Sequence, residues 1–292
     1  MITYPKDGLL RRDFLRLGAA GAAALALGGL KAGPLAAAEG AAGKKIPIGL
    51  QLYSVRDDCA KDLPAVLAAV SKIGYVGVDF AGYYGRKADE LRKLLDDNNL
   101  KCCGTHTGLG SIMGDELKNT IEFHKIVGNK FLIVPGLPEE YNKSKEGWLK
   151  AAKVFNEASE KAKAEGMFVG YHNHGIEFKA IDGELPWDIF GGATKPEVVM
   201  QMDTGNCMDS GADPLAFLKK YPGRAKTVHV KESGQPAKGV IGDGKMKWKE
   251  FFEICETTAG TEWYIVEHEA GGQPPLEAVK LCFEALKKMG KC

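Results

Sequence analysis

The chain is short of several things, and each shortage closes off a class of protein. It has no run of the roughly 20 apolar residues that a membrane-spanning helix needs; its longest candidate, Leu17 to Leu30, has 14 residues rich in Ala and Gly. It has almost no net charge, +1 from 39 basic and 38 acidic residues, so it lacks the basic footprint of a nucleic-acid binder. The seven cysteines (Cys59, Cys102, Cys103, Cys207, Cys255, Cys282 and Cys292) are odd in number and form no CxxC pair, which excludes a disulfide framework. Most are expected as small core fillers. No GxGxxG follows any candidate strand, which speaks against a dinucleotide-binding open sheet. A 45% hydrophobic and 26% charged composition also rules out disorder and collagen-like repeats.

The small charge is unevenly placed. Residues 1–38 carry five basic residues against two acidic ones, and the rest is slightly acidic, with 34 against 36. The basic start contains Arg11-Arg12-Asp13-Phe14-Leu15, then the apolar run, then Ala36-Ala37-Ala38. These are the n-region, h-region and cleavage site of an export signal, and paired arginines before Phe-Leu resemble the twin-arginine class. A membrane anchor is the rival reading, and the run is too short for it. The expectation is transient contact with the twin-arginine machinery, cleavage near Ala38, no stable membrane anchor, and a periplasmic or extracytoplasmic product.

Removing that segment leaves 254 of 292 residues, close to the roughly 250 of a (β/α)8 barrel. Short apolar runs alternate with helical patterns eight times. Strands are expected at Ile46–Ser54, Tyr75–Phe80, Lys101–His106, Lys130–Val134, Met167–His172, Val198–Met202, Lys226–Val230 and Trp263–Val266. Asp62 with Pro64 is expected to open the first helix, Ser144–Ala164 to be the longest, and Asp213-Pro214 to cap another. Eight regular units fit a closed parallel barrel better than an open doubly wound sheet. The fold class predicted is therefore α/β, a single TIM barrel over residues 39–292.

Active sites of such barrels lie at the C-terminal ends of the strands. Five of the six histidines fall there: His106, His172, His174, His229 and His268; only His124 lies on a predicted helix. Asp203, Lys231, Glu267 and Glu269 sit at the same ends. Imidazoles and carboxylates converging from four consecutive strands are what a divalent cation of intermediate softness needs. Period-two alternation puts His172 with His174, and His229 with Lys231, on shared faces.

The segments YHNHGIEF (171–178), MDTGN (202–206), HVKE (229–232), IGDGKMKW (241–248) and YIVEHE (264–269), in that order, resemble the xylose isomerase-like barrel superfamily. Its members are often called sugar phosphate isomerases/epimerases. The resemblance runs from about Ile46 to the end. It implies a metal bound by residues at the ends of strands five to eight; Asp203, His229 and Glu267 match the last three. At strand five the usual Glu is absent and the nearest match is His172. A two-glutamate epimerisation is therefore not expected. The His-x-His resembles inosose dehydratases and enzymes that cleave 3-keto-glycosides by elimination.

The resemblance thus implies one divalent metal ion, Mn2+ in preference to Zn2+, Co2+ or Mg2+, held by His172, Asp203, His229 and Glu267. Catalytic roles fall to His174, Glu177 and Lys231, and substrate binding to Gln51, Tyr53 and His106. The expected chemistry is proton abstraction beside a metal-bound carbonyl of a keto- or aldo-sugar, ending in isomerisation, epimerisation or β-elimination. The loop Gly234–Gly244 has Lys238 but no Arg, so a neutral sugar under a lid is expected rather than a phosphate. Two rivals are a carbohydrate-binding barrel without chemistry and an abasic-site endonuclease. The second would need more metal ligands and a basic groove.

Overall fold

A computed structural model of the protein describes residues 45–233, 239–269 and 271–292. The export signal and its cleavage site lie outside the described residues. The eight strands are β1 (Ile48–Gln51), β2 (Gly77–Phe80), β3 (Lys101–His106), β4 (Phe131–Val134), β5 (Phe168–His172), β6 (Val199–Asp203), β7 (Thr227–Val230) and β8 (Trp263–Val266). All are parallel; each bonds to the next and β8 bonds back to β1, closing the barrel. Around it run α1 (Arg56–Ile73), α2 (Ala88–Asp97), α3 (Glu116–Val127), α4 (Glu139–Asn142), α5 (Lys145–Ala164), α6 (Pro186–Ala193), α7 (Thr204–Asp209), α8 (Pro214–Lys220), α9 (Trp248–Thr257) and α10 (Pro275–Lys288). No helix among the described residues is long and apolar enough to cross a membrane.

Local chemistry sets the boundaries. Ser144 Oγ accepts from Gly147 N at 3.1 Å and starts α5. Trp148, Ala151, Ala152, Phe155, Ala158, Ser159 and Ala162 then bury one face at helical spacing. Asp213 caps α8 by accepting from Leu215 N, with Pro214 in the first turn. Two expectations shift by more than two residues. The first strand stops at Gln51 rather than Ser54, because Gln51 Oε1 accepts from Tyr53 N at 3.0 Å and turns the chain into a 3-10 segment, Leu52–Val55. The first helix begins at Arg56, before Asp62. Asp62 is a real cap, with φ −154° and its Oδ1 bonded to Ala65 N, but it joins two helical segments at a kink.

The larger apolar core lies between barrel and helices. The barrel interior has its own cluster at the N-terminal end: Phe131, Ile133 and Val199, with Phe168 and Trp263 packed against them. Space inside is tight. A Cβ on Gly170 would lie 2.6 Å from Val199 Cβ, so only glycine fits between those strands. Further up, a Cβ on Gly104 would meet Asp79 Oδ1 at 2.9 Å. Gly104 reaches that place because β2 and β3 slip register between Val78 and Asp79, the kind of bulge that re-aims side chains near active sites.

Candidate metal centre

Inward-facing positions recur every second residue. Above the apolar cluster they become polar: Gln51 and Asp79 on β1 and β2, His106 on β3, His172 on β5, Gln201 and Asp203 on β6, His229 on β7, and Glu267 just past β8. His172, Asp203, His229 and Glu267 are all buried, and each offers a ligand atom within 4.8 Å of the others. The four residues expected as ligands are thus brought together. His229 Nδ1 lies 2.5 Å from Glu267 Oε2 and 3.8 Å from Asp203 Oδ2. Asp203 Oδ1 accepts from Asn206 N at 2.7 Å, while its buried Oδ2 has no hydrogen-bond partner among the described residues, with Lys231 Nζ 4.0 Å away.

The charges explain the protonation states. Burial works against a charged His229, yet hydrogen bonds to Asp79 and Glu267 push its pKa up to about 10. Burial also raises Asp203, to about 7, although Lys231 pulls the other way. Glu267 stays well below the usual carboxylate range; burial opposes this, and the bond to His229 and the charges of His229 and Lys231 outweigh it. Burial and the neighbouring His229 and His106 keep His172 neutral. Lys231 Nζ lies 3.3 Å from Glu267 Oε1 and 3.1 Å from Asn206 Oδ1, and also pairs with Glu269. Burial would lower Lys231, but Asp203, Glu267 and Glu269 raise it, so it is a cation.

This donor set fits a divalent cation. It offers two imidazoles and two carboxylates without a thiolate, and the orphaned Asp203 Oδ2 is a buried acceptor awaiting a partner. An ion would take the position that the proton on His229 Nδ1 now fills. The other nitrogen, Nε2, lies 3.2 Å from Asp79 Oδ2. That is the carboxylate–histidine support that orients metal-binding imidazoles.

The remaining expected residues are less uniform. His174 is exposed, with its ring 4.9 Å from that of His172. Lys231 stands beside the proposed ligands, as above. His106 stacks on His229 at 5.0 Å and bonds through Nε2 to Gln201 Oε1 at 2.9 Å. Gln51 is buried, its Nε2 unpartnered. Tyr53 is 43% exposed, with the Arg56 guanidinium 4.2 Å from its ring centre.

Glu177 is a correction. Its carboxylate is fully buried and accepts from the Tyr171 hydroxyl at 2.5 Å and from His174 N at 2.9 Å. Tyr171 points outward, against Trp148 and Phe190 of the helical layer. The carboxylate therefore braces the β5 loop from outside the barrel and is not placed as a base at the mouth.

Two residues escaped the sequence reading. Asp79 and Gln201 are fully buried in the polar layer. The available signal was a lone carboxylate in the apolar run of YVGVDF and a lone amide in VVMQMD. Of the loop after β7, residues 234–238, Lys238 included, lie outside the described residues. The described part is fastened by Glu232, which accepts from Ser233 N, Gly242 N and Trp248 Nε1.

Comparison with known proteins agrees with this architecture. An inosose dehydratase of Bacillus thuringiensis (strain Al Hakam) is 25% identical, over 70% of this chain and 80% of its own. A sugar phosphate isomerase/epimerase structure from Parabacteroides distasonis ATCC 8503 superposes with a TM-score of 0.75 at 25% identity, covering 88% of this chain and 99% of that one. An L-ribulose 3-epimerase structure shares the fold alone, with a TM-score of 0.63 at 14% identity, over 84% of this chain and 94% of that one. The family model described as xylose isomerase-like TIM barrel matches residues 67–289, in keeping with the closed eight-stranded barrel. The chain belongs to the xylose isomerase-like TIM barrel family.

Proposed function

We propose that this chain is a carbohydrate enzyme, dependent on one divalent metal ion, that removes a proton beside a carbonyl of a keto-sugar or keto-cyclitol and eliminates water or an alcohol from the next carbon. The single observation that carries the reading is the buried group His172, Asp203, His229 and Glu267, with Asp203 Oδ2 left unpartnered. The similarity to an inosose dehydratase supports the substrate class. Mn2+ suits the mixed imidazole and carboxylate donors. When bound, the ion supplies Lewis-acid polarisation of a substrate carbonyl.

The chain's own residues do the rest. Asp79 holds the His229 ring in place through Nε2. Of the mouth histidines outside the four-residue group, His106 and His174 have rings packed against that of His172 and are therefore the candidates for proton transfer. Lys231, a cation beside Glu267, donates a proton to the departing oxygen. With Glu177 braced behind Tyr171, the glutamate that follows strand five is not available for reprotonation on the opposite face, which favours elimination over epimerisation. We also propose export and cleavage near Ala38, so that the enzyme works outside the cytoplasm; N-terminal sequencing of protein from its native host tests this, and an intact Met1 contradicts it.

The test is NMR in deuterated water with Mn2+, across keto-glycosides, inososes and ketohexoses, quenched with chelator before acquisition. Deuterium incorporation beside the carbonyl, or an unsaturated ketone product, is expected. No exchange and no turnover across the panel would overturn the proposal and favour a binding protein.

A further inference from the structure

One amide oxygen in the polar layer serves two imidazoles. Gln201 is fully buried on β6, and its Nε2 donates to Thr227 Oγ1 at 2.8 Å. Its Oε1 lies 2.9 Å from His106 Nε2 and 3.0 Å from His172 Nδ1. A carbonyl oxygen only accepts, and it has two lone pairs. Both of those nitrogens must then carry hydrogen, and each neutral ring has its lone pair on the opposite nitrogen. Turned the other way, the amide would offer N–H to His172 Nδ1. His172 would then carry hydrogen on Nε2 and could not ligate through it.

We infer that Gln201 is a positioning residue that sets the tautomers of both histidines, leaving His172 Nε2 free to ligate the metal and His106 Nδ1 free to accept the proton of the substrate. The second half rests on the function proposed above. His106 is the better-prepared base of the two candidates. Its ring stacks on His229 at 5.0 Å and lies 4.7 Å from that of His172. Its Nδ1 has no protein partner among the described residues, and its side chain is 12% exposed and so reaches the opening. The imidazole of His174 is exposed, and among the described residues no hydrogen bond fixes it.

The step balances without a redox partner. The C–H bond next to the carbonyl breaks, its proton goes to His106 Nδ1, and its electron pair becomes the new C=C bond. The C–O bond at the following carbon breaks, and that oxygen leaves with a proton from Lys231. The charge gained at His106 is shared through Nε2–H with Gln201 Oε1.

The test is long-range 1H–15N correlation on histidine-labelled full-length protein loaded with diamagnetic Zn2+, with resonances assigned from H106N and H172N. The parent is expected to show His172 as the Nδ1–H tautomer and His106 as the Nε2–H tautomer. Gln201→Leu removes the acceptor; both rings should lose their single tautomer, and Zn2+ affinity should fall about 10- to 100-fold. Gln201→Glu keeps an acceptor for both rings and should retain the tautomers and most of the affinity. A parent spectrum with His172 as Nε2–H, or with His106 as Nδ1–H, overturns the inference. So does a folded Gln201→Leu with unchanged tautomers. If that variant fails to fold, the parent and Gln201→Glu spectra still decide. The readout needs no substrate, so its failure is distinct from a failure of the proposed reaction.

Discussion

At the N-terminal end of the barrel interior, Phe131, Ile133, Val199, Phe168 and Trp263 form one apolar cluster. One or two inward positions further along, strands of the same barrel carry Gln51, Asp79, His172, Gln201, Asp203 and His229, all buried. The backbone is alike at both ends, but the energetics are opposite. The lower end removes apolar surface from water, worth about 1.5–3 kcal/mol for each large side chain. The upper end buries charge. Three of the five buried side-chain polar atoms without a partner among the described residues belong to it: Gln51 Nε2, Asp79 Oδ1 and Asp203 Oδ2. An unsatisfied buried polar atom costs about 1–3 kcal/mol. The barrel is held together below and keeps unfinished bonds above, where a ligand can complete them.

Substitutions can break that contrast from either end. The largest effect is expected on turnover. Glu267→Gln removes a proposed ligand charge, and loss of several kcal/mol of Lewis-acid stabilisation lowers the rate by roughly a thousandfold or more. The thermal midpoint of the metal-free protein should fall too, because the buried Glu267–His229 pair is broken; steady-state rates with paired melts check both. The opposite pattern is expected from Phe131→Ala. Denaturant titration should show a loss of about 3–5 kcal/mol, while calorimetry finds the metal affinity of the folded protein unchanged.

Asp79→Asn should sharpen the comparison. It keeps the volume but weakens the support of His229, so calorimetry should report metal binding about 10- to 100-fold weaker. The gentlest change per step is in pH. Metal-free His229 is protonated up to about pH 10, so binding must expel that proton, and raising the pH favours binding. Affinity should rise about tenfold per pH unit from 7 towards 10. Below about 7 the slope should steepen, because Asp203, raised to about 7, must lose a proton as well. Titrations in buffers of different ionisation enthalpy measure the protons released.

The fold was legible in the sequence because each unit carries its own punctuation. Ser144 and Asp213 cap where their side chains predict, and β3 and β8 fall on the expected residues. Four consecutive strands ending in ligand-type residues made the centre legible too. What failed to show was whatever depends on closure. Asp79 and His229 are 150 residues apart and meet only across the finished barrel; in sequence, Asp79 is one carboxylate in an apolar run. Gln201 likewise acquires meaning only when β3 and β5 bring two imidazoles to it. Glu177 was misread for a local reason. The 3-10 turn Ile176–Phe178 carries its side chain back to Tyr171, behind the loop that the sequence places at the mouth.

The central claim is that His172, Asp203, His229 and Glu267 form one metal site. Elemental analysis after equilibration with Mn2+ and desalting tests it most directly, on the parent and on His229→Ala, with circular dichroism confirming the fold of each. The account predicts one ion per parent chain and none in the folded variant. A variant as metal-loaded as its parent, or a parent that retains no metal, would contradict it.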